Sequence, residues 1–187
     1  PNTYMGAQLM NVLSQVAQRY PRSGIRRMFD LAAGYDDVVS LCLGEPNFDT
    51  PSHIVEAAKE ALDQGLTHYT PNAGLVELRQ AIADKYGREF GLEYSVDNVM
   101  ITVGAMEALY LAMVTTVNPG DEIIVPDPCF PAYLGQVMML GAKAVPVPVR
   151  EENEFKLQAD DIEKVITSKT KAILLNSPSN PLGSVLE

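Results

Sequence analysis

An α/β fold is predicted, with α/β/α layers built around a mainly parallel sheet and a helical segment ahead of them, and two observations predict it. From about residue 40 onward, short apolar runs alternate with amphipathic helical stretches, the order in which the strands of a parallel sheet are joined by covering helices. The 187 residues are 47% hydrophobic and 20% charged, which is enough apolar material for one packed core and far from the composition of a disordered chain.

Residues 1 to about 39 are helical in character. Met5, Leu9, Val12, Val16 and Ala17 recur near a helical period, a second apolar group follows at Ile25, Met28, Phe29 and Leu31, and Pro21 and Gly34 break the pattern. A short β-like run over 40–43 leads into the turn chemistry of Gly44-Glu45-Pro46-Asn47. The helix that starts near Pro51 has Thr50 to cap its unpaired N–H groups, and proline in the first turn sacrifices no hydrogen bond; the helix is expected to end near Gly65. A second amphipathic helix covers 75–90 and stops at Gly91. Strand-like runs over 99–103, 122–125, 144–149 and 172–175 then alternate with helical stretches near 105–117, 131–140 and 159–167.

The net charge of -10 would repel a phosphate backbone and no basic cluster offsets it, so nucleic acid is not an expected partner. Two cysteines, Cys42 and Cys129, with no metal-ligand spacing to His53 or His68, argue against a disulfide framework or a zinc site and fit a reducing cytoplasm. No apolar run approaches the ~18 residues that span a bilayer, and no basic stretch followed by an apolar one opens the chain, so neither a membrane nor secretion is expected. A chain that begins with Pro1 rather than methionine is expected to have been processed or trimmed.

Ligands of open α/β sheets bind beyond the carboxyl ends of strands, where helix N-termini present N–H groups. Four turns are therefore singled out. In Thr102-Val103-Gly104-Ala105-Met106-Glu107, small residues let an anion approach the backbone, with the helix dipole behind the amides of Gly104, Ala105 and Met106; a ligand-free strand-to-helix turn reads equally well. In Asp127-Pro128-Cys129-Phe130-Pro131, Phe130 is fixed between prolines and suits stacking on a planar ring, or is a core aromatic. In Asn176-Ser177-Pro178-Ser179-Asn180-Pro181, the amide of Asn180 suits a phenolate or carbonyl oxygen, or the segment is only a proline-stiffened turn. In Thr67-His68-Tyr69-Thr70-Pro71, Tyr69 offers a hydroxyl to a phosphate or packs over a neighbour.

Taken in order, with Gly44-Glu45-Pro46 ahead of them, these segments resemble the fingerprint of class I/II aminotransferases, fold type I of the pyridoxal-phosphate enzymes, from about residue 40 to the end. The resemblance implies that Gly104, Ala105 and Met106 cradle the phosphate of pyridoxal 5'-phosphate, that Phe130 stacks on its ring and that Asn180 bonds its phenolic oxygen. It implies that Tyr69 reaches the phosphate of the other subunit in a homodimer, and that Gly44 places an amide near the substrate carboxylate. Met106 departs from the polar residue more usual at its position. By the same resemblance, 1–48 forms an N-terminal arm or small-domain part and 49–187 part of a cofactor-binding large domain, as in the major domain of such transferases.

The implied activity is transfer of an amino group from an amino acid to a 2-oxo acid by a ping-pong cycle. The family's lysine, which bonds the cofactor covalently and moves the proton, lies well after the asparagine matched by Asn180. Only seven residues follow Asn180 and none is lysine, so an N-terminal portion without catalytic residues, inactive alone, is expected. Lys59, Lys85, Lys164, Lys169 and Lys171 read as solvated surface charges. Other chemistries of the scaffold, a carbon–sulfur lyase or a cyclopropane-forming synthase, stay open, as does a non-catalytic binding module. Leu13, Ile25 and Leu43 read either as an apolar substrate lining or as core.

Overall fold

Strand β1 (Glu122–Asp127) is where the apolar sequence is densest, and it becomes the centre of a three-stranded sheet in the computed structural model, which describes residues 12–20, 24–39, 41 and 44–186. It pairs in parallel with β2 (Lys143–Pro148) on one side and with β3 (Thr170–Ile173) on the other, in the order β2-β1-β3. The register runs from Glu122 opposite Lys143 to Asp127 opposite Pro148, while β3 pairs with Glu122 through Ile124 across one irregularity. Pro146 and Pro148 sit in β2, at the margin of this sheet, where a missing ladder donor is tolerated.

Helices α1 (Gln15–Arg19), α2 (Gly24–Ala32), α3 (Ser52–Asp63), α4 (Val76–Phe90), α5 (Gly104–Thr116), α6 (Pro131–Met139) and α7 (Ala159–Glu163) complete the described elements, with 3-10 turns at Val96–Asn98 and Glu151–Asn153. The core gathers on the sheet face that carries Ile123 and Val125. Met113 and Val117 at the end of α5 and Val137 of α6 close over them. Ile124, on the opposite face, is also fully buried, so β1 is covered on both sides as a parallel strand requires. Each such Ile or Val contributes about 1.5–3 kcal/mol through burial, which makes β1 the anchor of the fold.

The chain divides into two compact units, one from residues within 1–36 and 109–187, the other from 37–108, with the boundary inside α5. The second unit holds α3, α4 and the segment leading to α5. Gly91, at φ 66°, ends α4, and its amide donates to the carbonyl oxygens of Gly87 and Tyr86.

Three expectations change. The run 99–103 is not a strand: among the described residues it joins no ladder, and the Ile101 amide donates to the Ala73 carbonyl at 2.9 Å. The cap residue of α3 is Pro51, and no side chain, Thr50 included, caps it. The last helix ends at Glu163 rather than near 167, because Thr170 Oγ1 accepts the Thr167 amide at 2.9 Å and turns the chain toward β3. The expected run over 40–43 falls mostly outside the described residues, as do Met5, Leu9, Pro21, Cys42, Leu43 and the side chain of Ile25.

Candidate functional site

Because β1 and β3 are adjacent and parallel, the segments that follow them leave the same edge of the sheet. One carries Phe130 and the other Asn180. After Asp127 the chain crosses a cis Asp127–Pro128 peptide and reaches Phe130, the cap residue of α6, with Pro131 opening the helix. Phe130 is half-buried and meets the ring of Tyr133 at 77°, with 5.5 Å between centroids. Burial, and then the neighbouring Cys129, raise the Tyr133 phenol above its ordinary value. The Cys129 thiol is raised in turn by burial and by Asp127. The Tyr133 phenol and the Cys129 thiol therefore both stay neutral near pH 7.

After β3, the Leu174 amide donates to the Ile124 carbonyl, and the chain turns at Asn176. The turn is built by its own side chains. Asn176 Oδ1 accepts the backbone N–H of Asn180 at 2.8 Å, and Ser177 Oγ accepts the Leu186 amide at 2.9 Å. Ser184 Oγ donates to the Phe155 carbonyl at 3.0 Å. The Gly183 amide donates to the Ser179 carbonyl, closing a loop whose Ser177–Pro178 and Asn180–Pro181 peptides are cis. Asn180 itself is exposed, while its backbone is held from inside the loop.

The remaining singled-out residues lie in the second unit. Gly104 has φ 71°, and a Cβ built there meets nothing within 4 Å, so the backbone at the start of the 13-residue α5 is open to approach. The Gly104 amide donates to the Thr102 carbonyl at 2.8 Å, and the Thr102 hydroxyl donates to the Gly104 carbonyl at 3.0 Å. The Glu107 carboxylate accepts the Val103 amide and places a negative charge at the positive end of the helix. Ala105 and Met106 follow in the first turn. Tyr69 is completely exposed, at 108% of its reference surface. Gly44 is exposed, with open space where a Cβ would stand, so no crowding within the described chain demands glycine there.

Three residues that hold these positions were not singled out from the sequence: Asn176, Glu107 and Tyr133. Asn176 and Glu107 each had a readable signal, four positions from the residue that they serve. Tyr133 had none beyond being aromatic near Phe130. Among the described residues, no group of His, Cys, Asp and Glu is placed to hold a metal ion, and no helix is long and apolar enough to cross a membrane.

Residues 36–187 match the family described as Aminotransferase class I and II. An aspartate aminotransferase of Pyrococcus abyssi is 51% identical over 166 residues, 88% of this chain and 43% of that protein. Aromatic-amino-acid aminotransferase 2 of Thermococcus litoralis is 47% identical over 165 residues, 88% of this chain and 42% of that protein. The solved structure of the Thermus thermophilus aspartate aminotransferase with maleate superposes with a TM-score of 0.86 at 39% identity, over 92% of this chain and 46% of that one. The chain therefore spans less than half the length of these relatives. With that family matched over residues 36–187, most of its length, the chain belongs to the class I and II aminotransferase family.

Proposed function

We propose that the complete protein transfers an amino group from an amino acid to a 2-oxo acid, with pyridoxal 5'-phosphate as carrier, as a cytoplasmic homodimer. The observation that carries this reading is the delivery of Phe130 and Asn180 to one edge of the sheet by adjacent parallel strands, within a match to an aminotransferase family over 36–187. Relatives named for aspartate and for aromatic amino acids support an amino-acid substrate class, without choosing between them.

The residues fit the cofactor chemically. An apolar aromatic ring, an exposed amide and an approachable left-handed glycine before a long helix suit, respectively, a planar heterocycle, a phenolic oxygen and a phosphate. When bound, the cofactor supplies an electron sink and an aldehyde carbon that carries the amino group. In this chain Phe130 supports the ring, Asn180 donates to its oxygen, and the start of α5, with Gly104, Ala105 and Met106, receives the phosphate. Gly44 serves the substrate carboxylate and Tyr69 the partner subunit's phosphate site. Residues 1–48 act as the arm and 49–187 as part of the cofactor domain. The covalent lysine belongs to the remainder of the protein.

The test is to incubate the full-length protein and cofactor with pairs of amino acid and 2-oxo acid, and to quantify both products. Equimolar appearance of the new amino acid and the new 2-oxo acid is expected. Release of ammonia or sulfide without a new amino acid would move the protein to a lyase of the same scaffold. No cofactor uptake at all would leave only the binding-module reading.

A further inference from the structure

We propose that Tyr133 is a positioning residue that fixes the plane of Phe130, and that it serves ring binding through its own ring rather than its hydroxyl. The inference rests on the reading of Phe130 as the cofactor-stacking ring. Two links join the pair. The Tyr133 amide donates to the Phe130 carbonyl at 3.1 Å, which sets the backbone, and the two rings meet nearly perpendicular at 5.5 Å, which sets the side chain. Tyr133 is 8% exposed and lies on the buried side of α6 with Gly135 and Val137, so it is the immobile partner, while Phe130 is only half-buried. A half-buried phenylalanine held from one side alone would sample several orientations, and stacking on a ligand ring would then have to select one of them. An edge-to-face contact to a buried ring removes that freedom before the ligand arrives. The raised phenol stays protonated near pH 7, so no charge is placed beside the stacked ring.

The experiment is a double-mutant cycle on the full-length protein, read by pyridoxal 5'-phosphate affinity and by the induced circular dichroism of the bound chromophore. Melting of the cofactor-free protein serves as the folding control. Tyr133→Phe is expected to match the native protein in both readouts. Tyr133→Leu is expected to weaken binding about two- to tenfold and to diminish the dichroic band. Placed on a Phe130→Leu background, the same change is expected to weaken binding no further, because the ring that it positions is gone. A purely structural role would instead weaken binding equally on both backgrounds, and that result would overturn the proposal, as would a loss in Tyr133→Phe equal to that in Tyr133→Leu. Should Tyr133→Leu fail to fold, Tyr133→Met takes its place in the cycle. Phe130→Leu binding cofactor like the native protein would sink the stacking reading and this inference together. Weakened binding in Phe130→Leu, with Tyr133→Leu unchanged, would sink this inference alone.

Discussion

Two glycines show how the same substitution has different consequences according to what it strikes. A Cβ at Gly74 would run into Ile101, with the Ile101 Cβ only 2.6 Å away, and Gly74 already has φ 96°. Neither side can yield, since the Ile101 Cβ is attached directly to its backbone and the left-handed region itself costs an alanine about 1–2 kcal/mol. Gly74→Ala is expected to destabilise the protein by about 2–4 kcal/mol once overpacking is included, seen as a drop in the denaturant midpoint. A Cβ at Gly135 would strike the ring of Tyr20, with Cε2 2.7 Å away, but Tyr20 is 41% exposed and can swing outward. Gly135→Ala is expected to cost about 1 kcal/mol or less, and nothing further once Tyr20 is replaced by alanine. The site was similarly uneven in its legibility. Phe130, Asn180 and Gly104 stand out because proline and glycine punctuate them, and punctuation is a local property of sequence. Asn176 is marked only by its place four positions before Asn180, and Tyr133 acts through a ring contact that exists only after the chain has folded, so nothing marks it in advance.

At the scale of elements, the alternation of strands and helices from residue 105 onward was legible because burial and period coincide there. The run 99–103 was not, because an apolar segment becomes a strand only when a neighbour pairs with it. In place of a ladder, Arg79 holds this segment: Nε donates to the Val99 carbonyl at 2.8 Å and an Nη to the Val96 carbonyl at 2.6 Å, with the side chain 12% exposed. Hydrogen bonds from a charged group contribute about 1.5–3 kcal/mol each, so Arg79→Ala is expected to speed exchange of the Ile101 amide at least about tenfold. An unchanged exchange rate would show that the segment is held by something else. A second polar node ties the starts of all three strands. Glu122 accepts from the Thr167 hydroxyl at 2.7 Å and from Lys143 at 2.9 Å, and these bonds hold its carboxyl below the ordinary 4.5. A depressed folded value means that the contribution to stability is present above the ordinary value and is lost as pH falls through the folded one. Glu122→Gln is thus expected to melt earlier than the native protein at neutral pH, with the gap closing only below pH 4.5. A gap independent of pH would remove the carboxylate from the explanation.

For the molecule as a whole, what the 187 residues leave uncovered matters as much as what they bury. Ile173 and Leu175 are 42% and 61% exposed on and just after β3, a strand with one neighbour among the described residues, and Val103 and Leu41 are more exposed still. An apolar strand margin with unpaired N–H and C=O groups recruits another chain unless it is covered. The charge of -10 opposes that association, but exposed charges are screened beyond about 8 Å at physiological salt, whereas burial of apolar surface is not. Screening therefore decides the outcome, and it does so in a measurable direction. The 187-residue polypeptide prepared alone is expected to sediment as a monomer only at low salt, and to shift to larger species as salt is raised, with bound hydrophobic dye falling as they form. A sample that stayed monomeric with a single cooperative melt at high salt would show that these faces are self-sufficient.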